Sequence, residues 1–255
     1  MILLILKGSF FLFASFVVLL SFLGLLEYFA MALPHRKLVG SAAALVGAVI
    51  PIAMLVRDPF ALLFVLTVLS LLFALVFLFK PQEISSVGAE FGLTVAGFLY
   101  VPLLLAHLLM LRSFPHGVGW VFLLLFIVMS SDSVAYYVGT AFGKHKLYPS
   151  VSPKKSVEGA TGGLIGAILG AFIARASVFQ DLGVIDCVVT ALSAGILAQL
   201  GDLFESLLKR SFGVKDSGAM IPGHGGILDR LDSILFAAPP LFYYAYFVFY
   251  PGMGR

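Results

Sequence analysis

Charge is scarce in this chain: Asp, Glu, Lys and Arg make up 11% of its 255 residues, against about 25% in soluble globular domains. With 61% hydrophobic residues it has too little polar surface to cover itself in water, which excludes a soluble globular domain. Cysteine is almost absent. The single Cys187 rules out an internal disulfide, says nothing of redox compartment, and in its apolar stretch reads as a small core residue. The strict apolar–polar alternation of barrel strands is also missing, and the apolar runs instead exceed the roughly 18 residues that mark a membrane helix. Basic residues interleaved with aromatics in a soluble region are lacking too. The net charge of +3 and pI near 9.0 therefore point to membrane topology rather than to nucleic acid as a partner.

What remains is an all-α, polytopic transmembrane bundle with a mean hydropathy of +1.09. Eight spans are expected, at about 8–33, 38–56, 60–79, 87–111, 118–142, 157–174, 182–208 and 226–250, broken by Pro34, the Arg57-Asp58-Pro59 run, Lys80-Pro81 and polar loops. Met1–Lys7 is too short to span. Eleven of the sixteen Lys and Arg residues fall in or beside the odd-numbered loops, so the positive-inside rule sends those loops to the cytoplasm and both termini outward. In the sixth span Gly162, Gly166 and Gly170 share one face, where another helix can approach closely. Trp120 and Tyr243, Tyr244, Tyr246 and Tyr250 fit an interfacial belt.

Polar residues inside such a chain are costly and so informative. Ser206–Asp232 holds four of the sixteen basic residues and three of the thirteen acids. At the end of the seventh span Asp202, Glu205, Ser206 and Lys209 are spaced to share one face. The plain alternative is a Glu205–Lys209 salt bridge, which leaves Asp202 a turn deeper and in want of a cation. The eighth span opens after Gly223, His224, Gly225 and Gly226 with Asp229, Arg230 and Asp232. Glycines before a helix start let backbone N–H groups meet an anion, while acids there also serve as ordinary caps. If the last two spans are antiparallel neighbours, Asp202 and Asp229 can hold one hard cation such as Mg²⁺ with positions open for phosphate oxygens. Asp132, in the Ser130–Ser133 run of the fifth span, either lines a polar cavity or makes an interhelical hydrogen bond. Ser152, Lys154, Lys155, Ser156 and Glu158 lead into the sixth span. Together with Lys209, Arg210, Lys215 and Arg230 they form a cation-rich group suited to a triphosphate, although the loop lysines also serve as a topological anchor. His224 has three roles open to it: base, phosphate donor or turn residue. Glu27 and Glu90 have no partner nearby in sequence and are left unassigned.

The run from Ser206 to Asp232 resembles the signature of phosphatidate cytidylyltransferases (CDP-diacylglycerol synthases), S-x-x-K-R-x₄-K-D-x-G-x₃-P-x-H-G-G-x-x-D-R-x-D, with every fixed position present. Similarity extends to Ser152–Gly159, to Gly201-Asp202 with Glu205-Ser206, and to Asp132 with Ala135-Tyr136. In the first 110 residues it is limited to hydropathy and Glu27. The family often carries one more N-terminal helix, of which Met1–Lys7 would be the remnant, and an aromatic where this chain has Met129-Ser130-Ser131. The resemblance implies transfer of the cytidylyl group of CTP to phosphatidic acid, with Mg²⁺ required and a second, monovalent cation left open. It also implies a homodimer in a prokaryotic inner membrane, among membrane lipids, with the site facing the cytoplasm.

On this reading residues 1–112 are scaffold helices and a place for dimer contacts. Residues 113–255 form the catalytic region, with cytoplasmic loops 143–156 and 209–225. Asp202, Asp229, Lys209, Lys215 and His224 are nominated as catalytic, with Asp202 and Asp229 on the metal. Asp132, Ser152, Lys154, Lys155, Ser156, Glu158, Ser206, Arg210, Asp216, Gly223, Gly225, Gly226, Arg230 and Asp232 are assigned to substrate. Rival readings are a CDP-archaeol synthase, a CTP-dependent polyprenol or phytol kinase, and an ion-coupled transporter. The last predicts an inverted repeat that the sequence does not display.

Overall fold

The computed structural model describes residues 2–56, 58–80, 83–220 and 225–251. Among them eight helical stretches are long and apolar enough to cross a membrane, at Phe10–Ala32, Lys37–Leu55, Phe60–Phe79, Ile84–Ser113, Gly117–Phe142, Val157–Ser177, Val184–Ser211 and Leu228–Phe249. The protein is an integral membrane protein of the helical kind, with the number of spans expected.

Several spans are not single helices. After the short α1 (Ile2–Lys7) and the long α2 (Phe10–Ala32), the second span is split into α3 (Lys37–Gly47) and α4 (Ile50–Leu55), with Pro51 at the start of α4. Proline suits a first helical turn because its missing N–H has no acceptor to lose there. α5 covers Pro59–Phe79. The fourth span runs as α6 (Val87–Phe98), a π-helical turn at Leu99–Leu103 around Pro102, and α7 (Leu104–Ser113). A proline inside a helix deletes one backbone bond, and the wider turn absorbs that loss. α8 (Gly117–Phe142), α9 (Val157–Ser177) and α10 (Val184–Ser211) are continuous, and α11 (Leu228–Tyr244) ends in another π turn, Ala245–Phe249. The segment expected as an irregular loop at 143–156 instead forms an antiparallel hairpin of β1 (Lys146–Tyr148) and β2 (Ser152–Ser156).

The chain divides into two compact units, one of residues 1–7, 111–215 and 230–255, the other of residues 8–110 and 216–229. In the first, α8 and α9 meet along the glycine face foreseen from the sequence. A Cβ at Gly162 would strike Val138, one at Gly166 would lie 2.5 Å from the Ser130 carbonyl, and one at Gly170 would strike the Phe126 backbone. Such close backbone approach gives membrane helices the van der Waals contact that apolar solvent does not drive. Gly201 does the same for α10 and α11, since a Cβ there would lie 2.5 Å from the Asp232 carbonyl. Trp120 is no belt residue. It is fully buried, edge-on to Phe179 and Phe249, with its indole N–H donating to the Tyr250 hydroxyl at 3.4 Å. Cys187 is buried, as expected.

In the second unit Arg36, between α2 and α3, is buried rather than displayed as a surface anchor. Its Nε pairs with Glu90 of α6 at 2.7 Å, its Nη1 donates to the Lys80 carbonyl at 2.7 Å, and its guanidinium lies 5.1 Å from the Phe77 ring centre. Glu90, unassigned from sequence, therefore has a cation after all. The Tyr28 hydroxyl crosses from α2 to the Leu93 carbonyl at 3.1 Å.

Candidate active site

In the first unit the irregular β1–β2 hairpin sets two neighbouring lysines in different surroundings. Lys154 is exposed, whereas Lys155 is half-buried and places its Nζ 2.7 Å from Asp202 Oδ2 on α10. Lys155 thus supplies a cation to Asp202, the acid that was expected to need one. Ser156, the last residue of β2, accepts from the Gly159 N–H at 3.1 Å and caps α9. Glu158 folds back over the hairpin, accepting from the Lys144 N–H at 3.1 Å and the His145 N–H at 3.2 Å, with His145 Nδ1 at 2.6 Å. Their side chains build the hairpin that presents Lys155.

Along α10 the charged stripe is as spaced. Glu205 is buried and paired with Lys209 at 2.6 Å, one helical turn on. The pair foreseen as the plain alternative exists beside the Lys155–Asp202 pair rather than instead of it. Asp132 on α8 lies close enough for its charge to act with those of Asp202 and Lys155. Asp232 on α11 stands in the same relation to Asp202, Glu205 and Asp132. Four carboxylates and two ammonium groups from α8, β2, α10 and α11 therefore form one electrostatic group. Gln199, one turn before Asp202, went unnoticed in the sequence. Its Nε2 donates to the Ala160 carbonyl at 3.1 Å and lies 3.4 Å from the buried Ser131 Oγ, fastening α8, α9 and α10 beside the acids. Its position on the stripe of Asp202, Ser206 and Lys209 was the available signal. Ser152 and Ser206 are half-buried, while Arg210, Lys215 and Arg230 are exposed, with Arg210 Nη1 donating to the Val214 carbonyl at 3.4 Å.

The second unit holds the other part of the signature. Asp229 Oδ2 accepts from the Ser217 N–H at 3.1 Å, the Ser217 hydroxyl at 3.0 Å and the Gly226 N–H at 2.7 Å. Gly225 adopts a φ of +81°, which a glycine enters without strain. Glu27 of α2 is buried and accepts from Ile227 N–H at 2.9 Å and Leu228 N–H at 2.8 Å. Asp216 is exposed. Gly223 and His224 lie outside the described residues.

Among the described residues no three His, Cys, Asp or Glu side chains are grouped as a fully protein-bound metal would need. Mg²⁺ suits a sparser set, because it keeps several waters and takes one or two carboxylates plus substrate phosphates. The acids around Asp202 fit that pattern.

Eight apolar helices among the described residues, with acids and lysines paired in the first unit, define a polytopic membrane protein that carries a charged site. The chain belongs to the cytidylyltransferase family, whose model matches residues 1–249. It is 39% identical over 155 residues to the phosphatidate cytidylyltransferase of Bacillus subtilis, covering 60% of this chain and 58% of that protein. The Haemophilus influenzae phosphatidate cytidylyltransferase is 46% identical over 136 residues, 52% of this chain and 47% of the relative. That of Thermotoga maritima is 36% identical over 190 residues, 72% and 68%. The matched region thus spans from about half to two thirds of these relatives' lengths.

Proposed function

We propose that the protein transfers the cytidylyl group of CTP to phosphatidic acid. An oxygen of the lipid phosphate attacks the α-phosphorus of CTP in line, the bond to the β-phosphate oxygen breaks, and CDP-diacylglycerol and pyrophosphate result. Family membership sets the class, and the observation that carries the reading is the pairing of Lys155 with Asp202 and of Lys209 with Glu205 in one group with Asp132 and Asp232. In the resting protein each ammonium group neutralises a carboxylate. A nucleotide brings phosphates that take over Lys155 and Lys209, helped by Arg210, Lys215 and Arg230; Asp202 would then be the residue to hold a cation beside them. Each ammonium group then keeps an anionic partner at both stages, which lowers the cost of holding it within a membrane protein.

Asp202 is the acid we assign to Mg²⁺. The signature nominates Asp229 as the second acid, and the first unit itself offers Asp232. The chemistry a bound Mg²⁺ supplies is neutralisation of charge on the phosphate oxygens. Asp132, exposed on α8, is the residue we assign to the lipid headgroup. The same reading places the site on the cytoplasmic side of a bacterial inner membrane and the protein in a homodimer.

The test is turnover by the purified protein in detergent with CTP, phosphatidate and Mg²⁺. Formation of a CDP-lipid with pyrophosphate, abolished by chelation, is the expected result. A phosphorylated alcohol with CDP, or no turnover but ion flux in vesicles, would contradict it.

A further inference from the structure

The signature segment is held by a residue far outside it. The residues that lead into α11, Gly226, Ile227 and Leu228, carry no polar side chain. The first N–H groups of any helix lack an internal acceptor and must find one elsewhere. Here Asp229 reaches back to the Gly226 N–H at 2.7 Å, and the next two, Ile227 and Leu228, donate to the two carboxylate oxygens of Glu27 at 2.9 and 2.8 Å. Glu27 belongs to α2, two hundred residues earlier. A side chain at Gly226 would run into both Glu27 and Ser217, so the glycine is the space that lets the carboxylate in.

Ser217 links the two acids. Its Oγ lies 3.1 Å from Glu27 Oε2 and 3.0 Å from Asp229 Oδ2. A hydroxyl has a single proton, so it donates to one of the two carboxylates at a time. The backbone donors on each acid make that arrangement bearable, and they also fix where each carboxylate points.

We propose that Glu27 is a positioning residue. Its carboxylate caps the start of α11 from another helix and, through Ser217, sets the orientation of the Asp229 carboxylate. The effect on catalysis rests on the cytidylyl-transfer reading, but the capping role does not. Glu27→Gln keeps the size of the side chain and replaces one acceptor oxygen with an NH₂ group, which leaves Ile227 or Leu228 without an acceptor. Glu27→Asp keeps the charge on a shorter arm.

The experiment is amide hydrogen exchange on the full-length protein, without nucleotide, followed by steady-state kinetics. Loss of a charge-assisted hydrogen bond corresponds to roughly 10- to 100-fold faster exchange at Ile227 or Leu228 in Glu27→Gln, with exchange along α8 to α10 unchanged. The kcat should fall by a similar factor with KM for phosphatidate unaltered, and Glu27→Asp should recover part of both. Ser217→Ala, which removes the bridge and leaves the cap, should lower kcat while leaving Ile227 and Leu228 protected. Unaltered exchange at those two amides, or a Glu27→Gln enzyme that turns over like wild type, would overturn the proposal. A Glu27→Gln protein too unstable to purify would shift the decision to Glu27→Asp and Ser217→Ala, and wild-type rates in both would overturn it equally. If the wild-type protein makes no CDP-lipid, the reaction is wrong, yet the exchange data still decide the role of Glu27.

Discussion

Asp202 and Lys155 form the pair to which the proposed reaction assigns most of the chemistry. Asp202→Asn should lower kcat/KM by about 10³-fold, the scale seen when one preorganised charge is removed from a reacting phosphate or oxyanion. Asp229→Asn is expected to match it, and Asp232→Asn tests whether α11 contributes a different acid. Wild-type rates in Asp202→Asn would move the metal away from α10. Lys155→Met should raise KM for CTP and also leave Asp202 without its resting partner. Most of these residues were legible in the sequence because an acid in an apolar span is conspicuous and because their i,i+3 and i,i+4 spacing fixes a common face. Glu27 and Glu90 were just as conspicuous, but their partners lie far along the chain, Glu27 bonding to Ser217 190 residues away, and spacing carries no information at that range. Trp120 misled for a related reason. Its amphipathic ring suits an interface, but its neighbours Phe179, Phe249 and Tyr250 bury it.

At the scale of elements, the glycine face of α9 was readable because helical periodicity alone aligns Gly162, Gly166 and Gly170. Its partner helix was not readable. Gly166→Leu should separate α8 from α9, with the overpacking cost of about 1–3 kcal/mol or more. It should appear as a lower melting temperature and as lost activity, since Asp132 and Lys155 are attached to those two elements. The Arg36–Glu90 pair ties the α2–α3 link to α6, and Glu90→Gln leaves a buried guanidinium uncompensated at about 3 kcal/mol. Reduced thermal stability without a specific change in KM is the expected signature. Interruptions within spans escaped the sequence reading because hydropathy averages over them. Pro102 produced a π turn inside a continuous span and Pro51 opened a new helix, and only local backbone bonding separates the two outcomes. The hairpin at 146–156 escaped because two short strands of polar residues carry little alternation.

For the whole molecule the number of spans followed directly from composition and length, since a lipid environment leaves the backbone few choices. Orientation is argued from the asymmetry of Lys and Arg. With Cys187 replaced by Ala, a cysteine at exposed Ser150 should resist a membrane-impermeant maleimide in intact cells, while one at exposed Gln180 should react. The opposite pattern would invert the site. The reaction itself is tested most directly by the position of label in CTP. With purified protein, Mg²⁺ and phosphatidate, ³²P at the α-phosphorus should enter the lipid and ³²P at the γ-phosphorus should leave entirely as pyrophosphate. Label from the γ-phosphorus in the lipid fraction would mean phosphoryl transfer and would contradict the account.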